Sequence, residues 1–186
     1  MSPLEQLNRY KELLESWGRK VNLTGPEARE NLDAHIGEAE LAAELLKPLG
    51  EVLDFGSGGG LPAIPMAIRS PAARFHLVES DQRKWAFLKF AVRECALNCL
   101  VHGDRLQNLR IPAEQRFDLV TSRAVGHVAE WASYVVPRLT ASGRLALFQT
   151  SPQFPAVPGL VNDKSYPLPR ADNHFLVVLR VVPRET

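Results

Sequence analysis

One short stretch has the residue types to hold a small ligand. Val52-Leu53-Asp54-Phe55 is apolar except for its acid, and four glycines follow within five positions: Gly56, Gly58, Gly59 and Gly60. Glycine allows positive φ and has no Cβ to keep a ligand away from the backbone. A strand, a glycine loop and a helix start, in that order, form a ligand-binding edge. We therefore predict that a flat or charged molecule binds here, beside Asp54, Gly56, Gly58 and Gly60.

The spacing of the glycines separates the classes of ligand that use such a loop. The dinucleotide fingerprint Gly-x-Gly-x-x-Gly requires a glycine at position 61, where this chain has Leu61. The Gly-Lys-Ser/Thr ending of a phosphate-binding P-loop is also absent. Asp54 would repel a pyrophosphate but attract a cation. These features favour S-adenosylmethionine, which carries a sulfonium and an ammonium, although a turn that merely connects two elements is the alternative.

Other candidate site residues follow the remaining strands of the pattern. Glu79 lies 23 residues after Gly56, where an acid can accept hydrogen bonds from both ribose hydroxyls. Arg105 and Leu106 follow the third strand and could flank an adenine ring. Arg123 ends the fourth strand, and its guanidinium can bind a carboxylate or a phosphate. The alternatives are a solvated acid, a polar turn and a surface arginine, and we expect Asp118 to be structural.

The cysteines and histidines do not predict a metal site. Cys95 and Cys99 lack a companion cluster, so we interpret both as small buried apolar residues. The five histidines have no metal-ligand spacing. We therefore assign no residue to a metal.

The residues before position 51 have a helical pattern. Apolar residues recur at helical spacing from Leu4 to Trp17, and Gly18 is expected to end that helix. Thr24 and Glu27 have the spacing of a capping box, which predicts a short helix. A further helix is predicted from about Glu38 to Leu46. This portion is interpreted as a small N-terminal helical cap.

Strands and helices alternate from Glu51 onward, which predicts a Rossmann-like α/β fold with a mostly parallel sheet. The predicted strands are Val52–Phe55, Phe75–Val78, Leu100–His102, Asp118–Thr121, Arg144–Phe148 and Phe175–Val182. The predicted helices are Pro62–Arg69, Asp81–Ala96 and Val128–Val136. The proline-rich residues 151–159 should be neither helix nor central strand. We expect a single domain over residues 1–186, with the cap in residues 1–50 and the sheet core in residues 51–186.

Length and composition set further limits on the class of protein. A chain of 186 residues can build one domain with a sizeable core. No apolar run approaches the roughly 20 residues of a membrane span, and the first residues lack the pattern of a signal peptide. We therefore expect a cytoplasmic protein, without membrane association and monomeric. The net charge of +1 does not decide for or against nucleic acid, because binding depends on a local basic patch.

Four segments together resemble the bacterial small-subunit ribosomal RNA methyltransferase G family (RsmG, also called GidB). They are Trp17–Thr24, the loop Leu53–Pro65, Glu79-Ser80 with Lys84 and Phe87-Leu88, and Phe117–Val125. The resemblance implies S-adenosylmethionine as methyl donor and N7 of one guanine in small-subunit rRNA as acceptor. Gly56, Leu61, Arg105, Leu106 and Arg123 match positions that contact the cofactor in the family.

The chain departs from the family pattern at several polar positions. The family usually has a basic residue, His-Ile and then Asp-Ser, where this chain has Ala34-His35-Ile36-Gly37-Glu38-Ala39. The family lysine after Ala-Leu is replaced by Phe148, and the arginine before the last His is Asn173. Leu106 stands where the family has an acid. Several cations that could hold RNA phosphates are therefore missing.

The implied reaction needs little acid–base chemistry, because the N7 lone pair of guanine is already free. Alignment of donor and acceptor, with exclusion of water, would suffice. Arg123 is the predicted catalytic residue, orienting donor or substrate, and Arg19, Lys20 and Arg29 are predicted RNA contacts. The alternatives are a methyltransferase of the same fold acting on a small molecule or a protein, and a non-catalytic module that binds S-adenosylmethionine. A nicotinamide oxidoreductase is opposed by Leu61.

Overall fold

The computed structural model describes residues 1–23, 30–123, 126, 128–169 and 173–182. The helices in this part of the chain are α1 (Pro3–Gly18), α2 (Leu32–Leu46), α3 (Ala63–Arg69), α4 (Gln82–Glu94) and α5 (Val128–Val135), with short 3₁₀ turns at Leu106–Asn108 and Val136–Arg138. The strands are β1 (Glu51–Phe55), β2 (Arg74–Val78), β3 (Cys99–His102), β4 (Phe117–Arg123), β5 (Leu139–Gln149), β6 (Leu160–Pro167) and β7 (Phe175–Val181).

The strands form one sheet of order β3-β2-β1-β4-β5-β7-β6. Strands β1 to β5 are parallel, whereas β7 runs antiparallel to both β5 and β6. The predicted Rossmann-like fold with a mostly parallel sheet is confirmed. The chain adds strands outward from β1 to β3 and then returns to the other side of β1 with β4. Ligands bind at such a switch point, at the carboxyl ends of the strands.

Residues of β1 alternate between the two faces of the sheet, and each face has its own apolar core. Val52 packs into the core that also contains Tyr10, Ile36 and Phe87 from α1, α2 and α4. Leu53 packs into the opposite core. Tyr10 is fully buried, and burying a side chain of this size contributes roughly 1.5–3 kcal/mol. The cap helices therefore share a core with the sheet.

Asp81 caps the start of helix α4, three residues after the end of β2. The Asp81 side chain accepts hydrogen bonds from the backbone N–H groups of Arg83 and Lys84, at 2.9 and 3.1 Å. Such a cap satisfies N–H groups that have no partner within the helix. The hydrogen bonds from these backbone groups hold the pKa of Asp81 below its usual value. The Asp81 side chain thus fixes the direction of the chain immediately after Glu79, a predicted site residue.

Some elements differ from the predictions. Helix α2 begins at Leu32 and not near Glu38, since buried His35 and Ile36 extend its core-facing side and no side-chain cap marks its start. Strand β6 was not predicted, because five consecutive residues after Leu160 are exposed and lack an apolar pattern. The predicted helix at Thr24 and Glu27 lies outside the described residues.

Two predictions about individual residues have different outcomes. Cys95 is fully buried as predicted, but Cys99 is only partly buried because it opens the edge strand β3. Asp118 is structural, as expected: its carboxylate accepts the Glu51 N–H at 3.1 Å and the Thr140 hydroxyl at 3.3 Å. None of the described helices is long and apolar enough to cross a membrane.

Candidate functional site

The glycine loop leaves β1 and is tied back to β2 by backbone hydrogen bonds. The N–H groups of Gly56 and Ser57 both donate to the Val78 carbonyl, at 2.9 and 3.1 Å. Gly56 and Gly58 have φ of 70° and 55°, a region that residues with a Cβ rarely adopt. The loop therefore has a defined conformation that requires glycine, as the sequence predicted.

Glu79 lies at the end of β2 and holds this loop from the side. Its Oε2 accepts the Gly58 N–H at 2.8 Å, and its Oε1 accepts the Asp81 N–H at 2.8 Å. The residue is only 8% exposed. An ionised carboxylate has about four lone-pair sites, so each oxygen can accept a further hydrogen bond from a ligand. The carboxylate thus combines a structural role with free acceptor capacity.

A cavity of about 320 Å³ opens beside the glycine loop at the carboxyl ends of β1, β2 and β3. Four predicted cofactor-binding residues line it: Gly56, Glu79, Arg105 and Leu106. An adjoining hollow of about 190 Å³ shares Leu106 and extends to Trp131. The combined lining has apolar side chains such as Phe55 and Leu106 and three carboxylates, of Glu79, Asp104 and Glu130, and a ligand site combines apolar walls with a few polar groups in this way.

Asp54 lies behind the loop and does not line this cavity. It is 1% exposed, and the Thr121 hydroxyl donates to its Oδ1 at 2.6 Å. Its Oδ2 has no hydrogen-bond partner among the described residues. Burial raises the pKa of Asp54 to about 6, although the hydrogen bond from Thr121 and the charge of Arg123 oppose that rise. This carboxylate would gain from a nearby cation.

The remaining loop residues face the cap and not the cavity. Leu61 is 7% exposed and packs in the core that contains α1. A Cβ on Gly60 would lie 2.5 Å from Ile64 Cδ1, so only glycine fits there. The Tyr10 hydroxyl donates to the Gly59 carbonyl at 2.7 Å. Gly58, Gly60 and Leu61 therefore shape the loop, and their contact with the cofactor stays a prediction.

Arg123 ends β4 on the same side of the sheet as the cap. Its Nη1 contacts Nδ1 of His35, and its Nη2 lies 3.5 Å from Glu38 Oε2. The guanidinium also lies over the ring of Phe148, 5.3 Å from the centroid. Its side chain is 22% exposed. The sequence predicted that Arg123 can bind a carboxylate, and the carboxylate beside it in the structure is that of Glu38, on α2 of the same chain.

The sequence reasoning missed the cluster around Arg123. His35 and Glu38 were noted in a segment that departs from the family pattern and Glu38 was placed in a helix, but neither they nor His174 were assigned to the site. His174 Nδ1 lies 3.3 Å from Glu38 Oε1. The available signal was an acid three positions after a histidine, on the helix side that carries Ile36, Ala39 and Ala42. No local pattern links His174 to it.

A second pair of histidines is structural. The rings of His76 and His102 are stacked, with centroids 5.3 Å apart, and His76 Nε2 lies 2.6 Å from Glu51 Oε2. Burial and the neighbouring His76 lower the pKa of His102. Across the described residues, no three His, Cys, Asp or Glu side chains are arranged to hold a metal ion.

The cavity residues fit S-adenosylmethionine. Apart from its chain neighbours, no atom of the described residues lies within 4 Å of the position that a Cβ would take on Gly56, so a ligand can approach the backbone there. Glu79 can accept ribose hydroxyls, and the buried Asp54 provides negative charge for a cationic ligand. The fold and this site define a Rossmann-like S-adenosylmethionine-dependent methyltransferase of class I.

Comparisons with known proteins agree with this class. A family model described as rRNA small subunit methyltransferase G matches residues 3–154. The ribosomal RNA small subunit methyltransferase G of Cereibacter sphaeroides is 37% identical over 146 residues, which covers 75% of this chain and 69% of that protein. The protein of the same name from Granulibacter bethesdensis is 40% identical over 147 residues, covering 77% and 66%. The chain therefore spans about two thirds of the length of these relatives.

Solved structures share the fold at low sequence identity. A putative O-methyltransferase from Klebsiella pneumoniae superposes with a TM-score of 0.64 at 14% identity, covering 93% of this chain and 89% of that one. A mutant of MtNAS in complex with S-adenosylmethionine has a TM-score of 0.66 at 13% identity, covering 96% and 72%. Together with the sequence matches, these findings give one assignment. The chain belongs to the rRNA small subunit methyltransferase G family.

Proposed function

We propose that the protein transfers the methyl group of S-adenosylmethionine to N7 of a guanine in small-subunit (16S) ribosomal RNA. The observation that carries the proposal is the cavity at the switch point, where Gly56 and Glu79 meet, in a chain whose relatives are named for this RNA. Function resides in the site and not in the fold, and the family match includes both strand-end segments that form this site, which supports the same acceptor here.

Four residues are assigned to cofactor binding at the cavity. Glu79 accepts the ribose hydroxyls, Gly56 lets the ligand approach the backbone, and Leu106 packs against the adenine, with Arg105 at the rim. Asp54 stabilises the positive charge through space from its buried position. When bound, S-adenosylmethionine supplies an electrophilic methyl group.

The residues of the chain act on the reaction by positioning. The acceptor N7 of guanine has a free lone pair, so no proton has to leave that nitrogen first. The described lining contains acids such as Glu79 and Glu130 but no histidine or lysine that could form an acid–base pair with them. Alignment of the two reactants and exclusion of water then account for the catalysis.

Arg123 is assigned to the acceptor side as the catalytic residue. It ends β4 beside β1, at the switch point, but it is not among the residues that line the cavity. A guanidinium can bind a phosphate or the O6 and N7 edge of a guanine with two hydrogen bonds. We assign it to orientation of the RNA, with a direct cofactor contact as the other outcome of the test below.

The segment after α1 is assigned to RNA contacts. Arg19 and Lys20 are exposed, and the same segment continues to Leu23, whose carbonyl lies 3.6 Å from the Cβ position of Gly58. Leu23 therefore lies beside the glycine loop, and we assign the two cations, three and four residues before it in the chain, to phosphates of a bound RNA. Arg29, the third predicted contact, lies outside the described residues.

The working form is proposed to be a monomer of one domain in the cytoplasm, where ribosomal subunits are found. In the described part of the chain, the large apolar side chains that are well exposed come from several separate segments: Met1, Leu4, Leu49, Leu100, Val161 and Val182. Stable dimers usually bury a contiguous apolar patch. Sedimentation of the protein at micromolar concentration tests this assignment.

Methyl transfer to defined RNA substrates tests the function. Tritium from labelled S-adenosylmethionine should appear in small subunits isolated from cells that lack the modification, and chain cleavage at N7-methylguanine should map it to one position. Large subunits and bulk protein serve as controls. Transfer to protein or to a small molecule only would reject the RNA substrate. Tight cofactor binding without any transfer would indicate a binding module.

The role of Arg123 is tested by Arg123→Ala in the same assay. We expect turnover to fall by about 100-fold, while affinity for S-adenosylmethionine stays within about twofold of the original protein. Arg74→Ala is the matched control, since Arg74 is an exposed cation at the opposite, amino-terminal end of β2. A parallel loss of cofactor affinity would assign Arg123 to the cofactor, and unchanged turnover would reject both roles.

A further inference from the structure

We propose that Glu38 is a positioning residue for methyl transfer, holding the guanidinium of Arg123 in place from helix α2. The inference rests on the proposed function, because it gives Glu38 a role only through Arg123. It concerns a residue that lies outside the cofactor cavity and on a different element from Arg123.

Glu38 is the centre of a buried polar cluster that joins three parts of the chain. The residue is 1% exposed, and its Oε2 lies 3.5 Å from Arg123 Nη2 and 3.3 Å from His35 Nδ1. Its Oε1 lies 3.3 Å from His174 Nδ1. Helix α2, the end of β4 and the residue before β7 therefore meet at one carboxylate.

The charge of this carboxylate is maintained despite its burial. Burial by itself would raise the pKa of Glu38, but the hydrogen bond with His35 and the charges of Arg123, His35 and His174 more than offset it and hold the pKa below its usual value. Glu38 is consequently ionised at neutral pH. A buried anion is stable only while its cationic partner stays beside it, so the carboxylate and the guanidinium hold each other in place.

The arrangement suits an arginine that has to bind RNA in one orientation. The guanidinium has Glu38 and His35 on one side, the Phe148 ring against its face, and a 22% exposed side chain that reaches solvent. A free arginine side chain would lose rotamer freedom on binding. The cluster removes that loss in advance, as preorganised sites do.

The competing interpretation is that Glu38 only stabilises the packing of α2 against the start of β7. A double-mutant cycle separates this structural role from the positioning role. The variants are Glu38→Gln, Arg123→Lys and both together, with Glu38→Asp as the conservative change. Glu44→Gln is the control, an acid on the same helix that pairs with Arg69 at the surface. The readouts are kcat and KM for RNA, the Kd for S-adenosylmethionine, and the thermal unfolding midpoint.

We expect Glu38→Gln to lower kcat by about 10-fold to 100-fold, with the Kd for S-adenosylmethionine within about twofold of the original protein. Glu38→Asp should recover most of that activity, and Glu44→Gln should leave it unchanged. The double variant should be no slower than Arg123→Lys alone, because Glu38 acts through the arginine. Additive losses, or full activity in a folded Glu38→Gln, would overturn the proposal.

A measurement that does not depend on methyl transfer separates failure of the positioning role of Glu38 from failure of the proposed function. The Arg123 guanidinium N–H resonances, assigned with Arg123→Lys, should show slow rotation in the original protein and in Glu44→Gln. They should show fast rotation in Glu38→Gln, because the carboxylate partner is lost. Equal rotation rates would overturn the positioning role, whether or not the RNA is methylated. Absence of methyl transfer by the original protein, with restricted rotation intact, would reject only the function.

Discussion

The Tyr10 hydroxyl donates a hydrogen bond to the Gly59 carbonyl at 2.7 Å, and this contact joins the first helix to the glycine loop. Tyr10 is fully buried, and its hydroxyl also lies 3.2 Å from the position that a Cβ would take on Gly60. The helical cap thus supports the loop directly, from the side opposite to the cavity. The cap therefore helps to hold the glycine loop in its conformation.

Tyr10→Phe should cost about 1–3 kcal/mol of unfolding free energy, because a buried carbonyl loses its partner. Cofactor affinity should fall as the loop loosens. Urea unfolding and calorimetry measure the two effects. Tyr166→Phe is the matched control, for which we expect a change within about 0.5 kcal/mol, since Tyr166 is partly exposed on the edge strand β6. Equal effects of the two substitutions would contradict the role of this hydrogen bond.

Gly60→Ala should destabilise the protein by about 1–3 kcal/mol. The residue has φ of 92°, and the new methyl group would lie 2.5 Å from Cδ1 and 2.9 Å from Cγ1 of Ile64, which is fully buried. Gly37→Ala should instead stabilise by roughly 0.5–1 kcal/mol, because Gly37 is inside α2 and, outside its own helix backbone and chain neighbours, no described atom lies within 4 Å of its Cβ position. Urea unfolding of the two variants checks the opposite signs, and a stable Gly60→Ala would show that the loop can rearrange.

Glu79→Gln should weaken binding of S-adenosylmethionine by roughly 10-fold to 100-fold. Both carboxylate oxygens accept backbone N–H groups, from Gly58 and Asp81, so an amide would turn its own NH₂ towards one of them. It would also lose acceptor capacity for the ribose. Isothermal titration calorimetry measures the affinity, with the exposed Glu114→Gln as control. Unchanged affinity would remove Glu79 from the site.

The stability of the protein should depend on pH through Asp54. Its pKa is raised from 3.8 to about 6 in the folded state, so the folded protein binds its proton more tightly than the unfolded chain does. The stabilisation from this proton is fully present below pH 3.8 and is lost as the pH rises through about 6. Asp54→Asn keeps an oxygen for Thr121 but cannot titrate. Urea midpoints between about pH 4 and 7 should fall less steeply with pH for this variant, and parallel curves would contradict the raised pKa.

Binding of S-adenosylmethionine should show the opposite dependence on pH. The ionised form of Asp54 attracts the cationic ligand, so the affinity should increase as the pH rises through about 6. Calorimetry across that range, in the original protein and in Asp54→Asn, measures the difference. A constant ratio between the two affinities would mean that Asp54 does not interact with the bound cation.

The sequence predicted an element correctly where that element has its own apolar pattern and capping residues. Helix α4 has an apolar stripe and an Asp81 cap, and its predicted and observed bounds differ by only one or two residues. Strand β6 carries no such pattern, because it forms the exposed edge of the sheet next to β7. The amino-terminal turn of α2 was missed because its stabilisation comes from burial of His35 and Ile36 against other elements.

The sequence by itself determined the chemistry at the strand ends. Gly56, Glu79, Arg105 and Leu106 follow strands whose carboxyl ends must meet in a parallel sheet, so their approach could be predicted from chain order alone. Only the tertiary structure decided the surroundings of Arg123 and Asp54. The contacts between Arg123 and Glu38, 85 residues apart, and between Thr121 and Asp54, 67 apart, depend on which face of the sheet each side chain occupies and which helix covers that face. Packing of the whole chain sets those two facts, and no local sequence pattern contains them.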